Sequence, residues 1–414
     1  MFYFDRFNGN SFICDPKVFS GYGSPEIRGQ WTLSSDENIL RELEADGCVA
    51  VFRRQFYPTK PLSNEEARFP LAYSMLIYES LASFELFLSA AYMPQNWYCF
   101  HVDSKSPQVF RTGIQLISSC FSNVFVANKS YDVHPLGHNI PQAQVSCLST
   151  LRGKQWNYVF VLENNDFPLR TNAELVKILK LHNGSNDVEI VPADPDRYNH
   201  VVEFRGEEVI DHYDISKTTT PEGFTIYKGS DEETLSYRFV NYILDSPTFY
   251  RFLNWCSDTL FSGEQFFAVL NHNEQFGAPG GYPGSCLRDF DWKKTFITRY
   301  SLWPDNSPGF FECHGVWRNG LCVFAMEDLP MLAKRPQLFV NKFREETDVQ
   351  ALQCMHQWVR NRTFFPERFP DINMTYYENL SAVKFARWRA ENPNKNLSDF
   401  PCVYCTVTGN TCYP

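Results

Sequence analysis

The chain has 414 residues, a net charge of −10 and 43% hydrophobic residues, enough for one large α/β domain with additions, or two smaller ones, around a sizeable core. No basic cluster is set against that acidity, which argues against nucleic acid as a partner. No internal repeat or low-complexity tract is visible.

In chain order, Met1-Phe-Tyr-Phe-Asp-Arg-Phe7 has neither an apolar span near twenty residues nor the charged and apolar regions of a signal peptide. Residues 1–47 read as a stem or packing arm. Residues 70–78 read as a strand, 79–92 as a helix, and 97–103 as a second strand ending on Asp103. A helix over 108–120, a strand over 123–127 and a helix over 142–152 continue the alternation. The stretch 157–168 is the most informative: an apolar run rich in β-branched and aromatic residues stops at Glu163-Asn-Asn-Asp166-Phe-Pro168. That is a buried strand delivering carboxylates and amides to a sheet edge. A helix over 173–180 follows, with Leu175, Ile178 and Leu179 on one face and Asn172 as N-cap.

This alternation predicts an α/β fold with a doubly wound, mostly parallel sheet. Ligands bind such sheets at the carboxyl ends of strands, so Asp103 and Asp166 point to a nucleotide or nucleotide-sugar crevice. Farther on, residues 188–191 read as a strand followed by the loop Asp194-Pro-Asp196. Ser262-Gly263 reads as a helix start, which by itself would leave Glu264 serving the helix dipole.

Thirteen cysteines and six Asn-x-Ser/Thr sequons, at Asn128, Asn183, Asn361, Asn373, Asn379 and Asn396, point to the secretory pathway. Composition alone would supply about half of those sequons, so the two signals support each other. Cys402-Val-Tyr-Cys405 with Cys412 can be read as a zinc or redox site. With no second CxxC or paired His, disulfides in an exposed, glycosylated extension are preferred.

Four segments carry a resemblance: 92–99, Phe100-His-Val-Asp103, Ser119-Cys-Phe-Ser-Asn-Val-Phe-Val-Ala127, and Asp166-Phe-Pro-Leu-Arg-Thr-Asn172. They resemble the core 2 and I-branching β-1,6-N-acetylglucosaminyltransferases, glycosyltransferase family 14, over roughly Cys48 to Cys354; protein xylosyltransferases are more divergent members. The resemblance implies a single GT-A-like catalytic domain over 48–354, followed by an extension over 355–414 that holds four sequons. It pairs Cys48 with Cys120, Cys99 with Cys147, Cys313 with Cys322 and Cys14 with Cys354, a connectivity that spacing could not supply. It also implies a type II Golgi membrane protein facing the lumen, whose anchor is absent from this chain; a shortened N-terminus is the favoured explanation.

For chemistry, the resemblance makes Glu264, in Asp258-Thr-Leu-Phe-Ser-Gly-Glu264, the catalytic base. Phe261, Phe266 and Phe267 beside it would desolvate the carboxylate and raise its pKa. Lys342, in Leu338-Phe-Val-Asn-Lys342-Phe, would bind the donor diphosphate in place of a metal. Arg318, in the loop Cys313-His-Gly-Val-Trp-Arg318-Asn-Gly-Leu-Cys322, would be the second cation, although it stands one position earlier than the family's arginine. An ordinary surface arginine is the alternative. Asp103 and the backbone near Ile77 would hold the nucleoside; a buried aspartate capping the next helix is the alternative. Trp303, in Arg299-Tyr-Ser-Leu-Trp303, would stack on an acceptor sugar unless it belongs to the core. Glu163, where core 2 enzymes carry cysteine, and Asp166 would face the acceptor, unless Asp166 pins the Phe-Pro turn. Asp194-Pro-Asp196 and Asp289-Phe-Asp291 are Asp-x-Asp triplets of the kind that hold Mn²⁺. The family works without metal, so no metal or other cofactor is expected.

The expected function is therefore an inverting, metal-independent transfer of N-acetylglucosamine from UDP-N-acetylglucosamine to an O-glycan hydroxyl, forming a β-1,6 branch. The partners are a UDP-sugar and an O-glycan or glycoprotein acceptor; a homodimer is left open. The acceptor-side stretch, Arg197-Tyr198 through Lys228-Gly-Ser230, departs most from the family's pattern, whose apolar run after Gly-Ser becomes Asp231-Glu-Glu-Thr234 here, and this leaves the acceptor open. The rival readings are a xylosyltransferase-like enzyme, a catalytically inactive glycan-binding or UDP-binding relative, and a structural protein on the same scaffold. No Gly-rich phosphate loop, Ser/His/Asp arrangement or HExxH helix is present, which removes kinases, common hydrolases and zincins.

Overall fold

A computed structural model describes Cys14, residues 16–20, 32–206, 208–217, 220–286, 296–304, 311–402, 404–405 and 412–413. The triplet Asp289-Phe-Asp291 and the first thirteen residues lie outside them.

The predicted alternation is present. Strand β1 (Leu71–Ile77) leads to helix α1 (Leu81–Ala91), β2 (Trp97–Val102), α2 (Gln108–Ser119), β3 (Val124–Val126), α3 (Ile140–Leu151) and β4 (Tyr158–Glu163). β1 pairs in parallel with β2 on one side and β4 on the other, and β2 pairs in parallel with β3. The chain thus winds outward from β1 to β3, then returns over α3 to lay β4 on the opposite flank of β1. Every residue of β1 is buried, as expected of a parallel strand covered on both faces. Alternation divides the cover: Tyr73, Met75 and Ile77 join one core with α1 and α2, whereas Ala72, Cys99, Val159 and Val161 join a second with α3.

After β4 the short strand β5 (Asp166–Pro168) and helix α4 (Asn172–His182) follow. Asn172 is not the cap of this helix. Thr171 is, its hydroxyl accepting from Glu174 N while the Glu174 carboxylate accepts from Thr171 N. The Asn172 amide is instead bonded to Asn96 and Glu66 in the interior. The strand expected over 188–191 is reduced to Val191–Pro192, which pairs antiparallel with Tyr227–Lys228. The Asp187 carboxylate accepts from Ile297 N and Thr298 N, and only Asp187 bridges to Thr234.

An exposed hairpin, β6 (His200–Arg205) with β7 (Glu208–Ser216), comes next. Strand β8 (Glu233–Ser236) then closes the sheet antiparallel to β4, giving the order β8-β4-β1-β2-β3. Helix α5 (Ser262–His272) packs Phe266 and Phe267 into the second core. β9 (Arg299–Tyr300), the hairpin β10 (Val316–Arg318) with β11 (Leu321–Val323), β12 (Phe339–Asn341) and helix α6 (Glu345–Phe364) complete the domain. β12 lies between β9 and β5, which brings the chain around residues 299 and 342 to the carboxyl end of β4.

All four expected disulfides are formed. A fifth joins Cys286 to Cys402, so Cys402 ties the C-terminal segment to the main domain rather than to a partner within its own extension. The boundary drawn at 354/355 falls inside α6, and Tyr377, Leu380 and Val383 belong to the first core. Residues 355–402 are thus packed into the domain. No helix among the described residues is long and apolar enough to cross a membrane.

Candidate active site

The winding direction reverses between β1 and β4, and ligands of open α/β sheets bind at such a switch point. A cleft of about 460 Å³ opens there, walled by Tyr78 just beyond β1, Glu163 at the end of β4, Lys342 just beyond β12, and Glu264 in the first turn of α5. Four dispersed segments thus meet because two sheets end at one place.

Glu264 sits where its helix start aims it. Phe261, in a left-handed conformation with φ of 51°, donates its N–H to Leu136 O, and Ser262 Oγ donates to Gly137 O. Gly263 is required because a Cβ there would collide with the Asp231 carboxylate and approach Ile140 Cγ2 at 2.8 Å. The phenylalanines expected to surround Glu264 have other neighbours. Phe266 and Phe267 point into the core, and the Arg197 guanidinium covers Phe261 at 4.5 Å. Arg197 ion-pairs with the Glu264 carboxylate, and Lys228 Nζ lies 3.4 Å from it.

Glu163 and Arg299 define the opposite character of the floor. Arg299 Nη1 is 2.5 Å from the fully buried Glu232 carboxylate, and the acids around Arg299 raise its pKa despite burial. Burial, followed by the charge of Glu232, pushes the Glu163 carboxyl up to about 7, with Arg299 and Lys342 opposing. Glu189 and Asp231 add further acid to the lining, both raised mainly by burial. Lys342 has its pKa lowered by burial and then by Arg344, with Arg318 and Arg299 acting in the same direction.

Other expected residues lie elsewhere. Asp166 does not line the cleft: it is 2% exposed, and its carboxylate accepts from Glu163 N at 2.7 Å and Asn341 Nδ2 at 2.9 Å. It pins the turn after β4 to β12, which corrects its assignment to the acceptor. Asp103 lies beside Ile77 at the ends of β2 and β1, outside the cleft lining. Its N–H donates to Ile77 O and its carboxylate accepts from Lys105 N, so it closes a turn and caps no helix. Arg318 also stands outside the lining, half-exposed on β10 and paired with Glu346 at 3.1 Å. Trp303 lines the cleft with half its surface exposed, so it is not a core residue.

Asp194 caps a short turn, its Oδ1 accepting from Asp196 N. Among the described residues no group of three His, Cys, Asp or Glu side chains could hold a metal ion. Asn128, Asn183, Asn373 and Asn396 are exposed, whereas Asn361 and Asn379 are half-buried, Asn361 within α6.

Arg299, Arg197, Lys228 and Arg344 were not assigned from sequence. Arg197 and Arg299 matter through partners 67 residues away, Glu264 and Glu232, a spacing without local periodicity. Tyr376, from the C-terminal segment, also reaches the cleft wall.

The family model described as Branch: Core-2/I-Branching enzyme matches residues 71–329. The chain is 34% identical over 338 residues to the human protein named N-acetyllactosaminide beta-1,6-N-acetylglucosaminyl-transferase, covering 79% of this chain and 81% of that one. It is 33% identical over 314 residues to rat beta-1,3-galactosyl-O-glycosyl-glycoprotein beta-1,6-N-acetylglucosaminyltransferase 3, covering 74% and 71%. A Bacillus anthracis crystal structure described as a glucose-1-phosphate thymidylyltransferase superposes with a TM-score of 0.24 at 11% identity, over 45% of this chain and 82% of that one. That likeness is too distant to carry an argument.

Proposed function

The chain belongs to the Core-2/I-branching enzyme family, and from that premise we propose that it moves N-acetylglucosamine from UDP-N-acetylglucosamine to a hydroxyl of an O-glycan, with inversion and formation of a β-1,6 branch. The observation that carries this reading is that Glu264 and Lys342, 78 positions apart in sequence, wall one cleft at the switch point.

In this reading an acceptor hydroxyl displaces a cation contact of Glu264 and gives its proton to the carboxylate. Its oxygen forms the new bond to C1 as the bond from C1 to the phosphate oxygen breaks, and UDP leaves with that electron pair. Lys342, with Arg318 at the rim, offsets the charge that develops on the diphosphate. No metal takes part in this scheme. Asp103 and the strand end at Ile77 lie on the nucleoside side, while Trp303 offers its indole to the acceptor and Glu163 accepts from its hydroxyls. Five disulfides support assembly in an oxidising compartment, and the Golgi lumen is the proposed site of action.

The test is a reaction in EDTA with UDP-N-acetylglucosamine and an O-glycan bearing β-1,3-galactose, the product being read by NMR. A new β-anomeric signal on a 6-linked residue is expected. Transfer only after Mn²⁺ is added, or an α-linked product, would overturn the mechanism. Binding of UDP without transfer to any acceptor would indicate an inactive relative.

A further inference from the structure

Lys342 and Arg344 flank Phe343, which is 3% exposed in the first core, so the alternation of an extended chain sets both cations on its other side. Arg344 is nearly buried, its side chain 8% exposed. Its Nη2 reaches Glu79, just beyond β1, at 2.7 Å, and its Nε reaches Glu346 Oε1 at 2.5 Å. The same Glu346 oxygen receives Arg318 Nη1 at 3.1 Å. One half-exposed carboxylate therefore bridges two guanidinium groups from different elements. Lys342, beside them, forms no ion pair among the described residues.

We propose that Arg344 joins the donor-side cations Lys342 and Arg318 as a third seat for the diphosphate of a nucleotide donor, with Glu346 holding the place between the two arginines until that diphosphate displaces it. The seat rests on the reading of Lys342 as a donor-side cation. A diphosphate brings more charge than one carboxylate and several oxygens for the forked donors of arginine, so it outcompetes Glu346. Glu346 and Arg318 are each about half-exposed, and such pairs are weak, so displacement costs little. Arg318 enters the site through Glu346, which explains how an arginine outside the cleft lining serves it. Arg344 is a positioning residue in the donor-free protein and touches the diphosphate once Glu346 has moved.

The experiment is calorimetric titration of the full chain, in EDTA, with UDP and separately with uridine. Glu346→Gln is expected to bind UDP about 2- to 5-fold more tightly, what an exposed pair of up to about 1 kcal/mol converts to, with uridine binding unchanged. Arg344→Gln is expected to lose at least about tenfold in UDP affinity, again sparing uridine, with partial rescue by Arg344→Lys. UDP affinity that is unchanged or weaker in Glu346→Gln would overturn the proposal, as would equal losses for UDP and uridine in Arg344→Gln. Failure of the unaltered protein to bind UDP at all would overturn the donor reading itself, and the seat with it.

Discussion

Glu264 and Glu163 share a cleft but have different surroundings, and the difference separates their roles. Arg197 and Lys228 flank Glu264 and hold its side chain at the cleft wall, where a hydroxyl can meet it. Glu163 is governed by burial and by Glu232. Its folded-state pKa of about 7 lies above the ordinary 4.5, so the folded protein holds that proton more tightly than the unfolded chain. Its effect on stability is most favourable below about pH 4.5 and is lost as pH rises through 7. Glu163→Gln is expected to flatten the dependence of melting temperature on pH across that window; an unchanged slope would refute the assignment. Sequence alone placed both residues at element ends but could not tell these environments apart, because the deciding partners, Arg197, Lys228 and Glu232, arrive from elsewhere in the chain.

The elements that aim these residues make their own predictions. Gly263 lies against Asp231 and Ile140, so Gly263→Ala must shift the first turn of α5. The expected result is a loss of transfer activity of about tenfold or more, because misplacement by about 1 Å can cost still more. The fold is retained, as circular dichroism would check. At α4, Thr171→Ala removes one half of a capping box and is expected to cost about 1 kcal/mol in urea denaturation. Strands and helices over residues 70–182 were legible because apolar runs alternate with amphipathic ones. The cap was misplaced by one position because Asn172 looks like a cap residue, and only the interior contacts to Asn96 and Glu66 reveal its other use. The strand expected over 188–191 survives only as Val191–Pro192, because Asp187 bridges to Thr234 and turns its side chain to residues 297 and 298, which leaves 188–190 outside any ladder.

For the whole molecule, the main parallel sheet was readable from alternation, and four disulfides followed from the family resemblance. The antiparallel strand β8 was not foreseen: Glu233-Thr-Leu-Ser236 carries a glutamate that is fully buried, which disguises a strand. Nor was the incorporation of residues 355–402 into the domain, because half-apolar helices rich in sequons look like an exposed tail. The Cys286–Cys402 bridge closes a loop with a sequence separation of 116 residues. Replacing both cysteines by serine is expected to cost about 2–4 kcal/mol, with the loss of stability reaching the cleft through Tyr376. Wild-type-like thermal unfolding of that double variant would contradict the integration of the segment.

The central claim is that this cleft performs metal-free sugar transfer with Glu264 as base. Its most direct test is release of UDP from UDP-N-acetylglucosamine in EDTA, with and without an O-glycan acceptor, for the unaltered protein and for Glu264→Gln. The account predicts acceptor-dependent release that falls by about 10²- to 10⁴-fold in the variant while UDP binding persists. Acceptor-dependent release that survives in Glu264→Gln would contradict it.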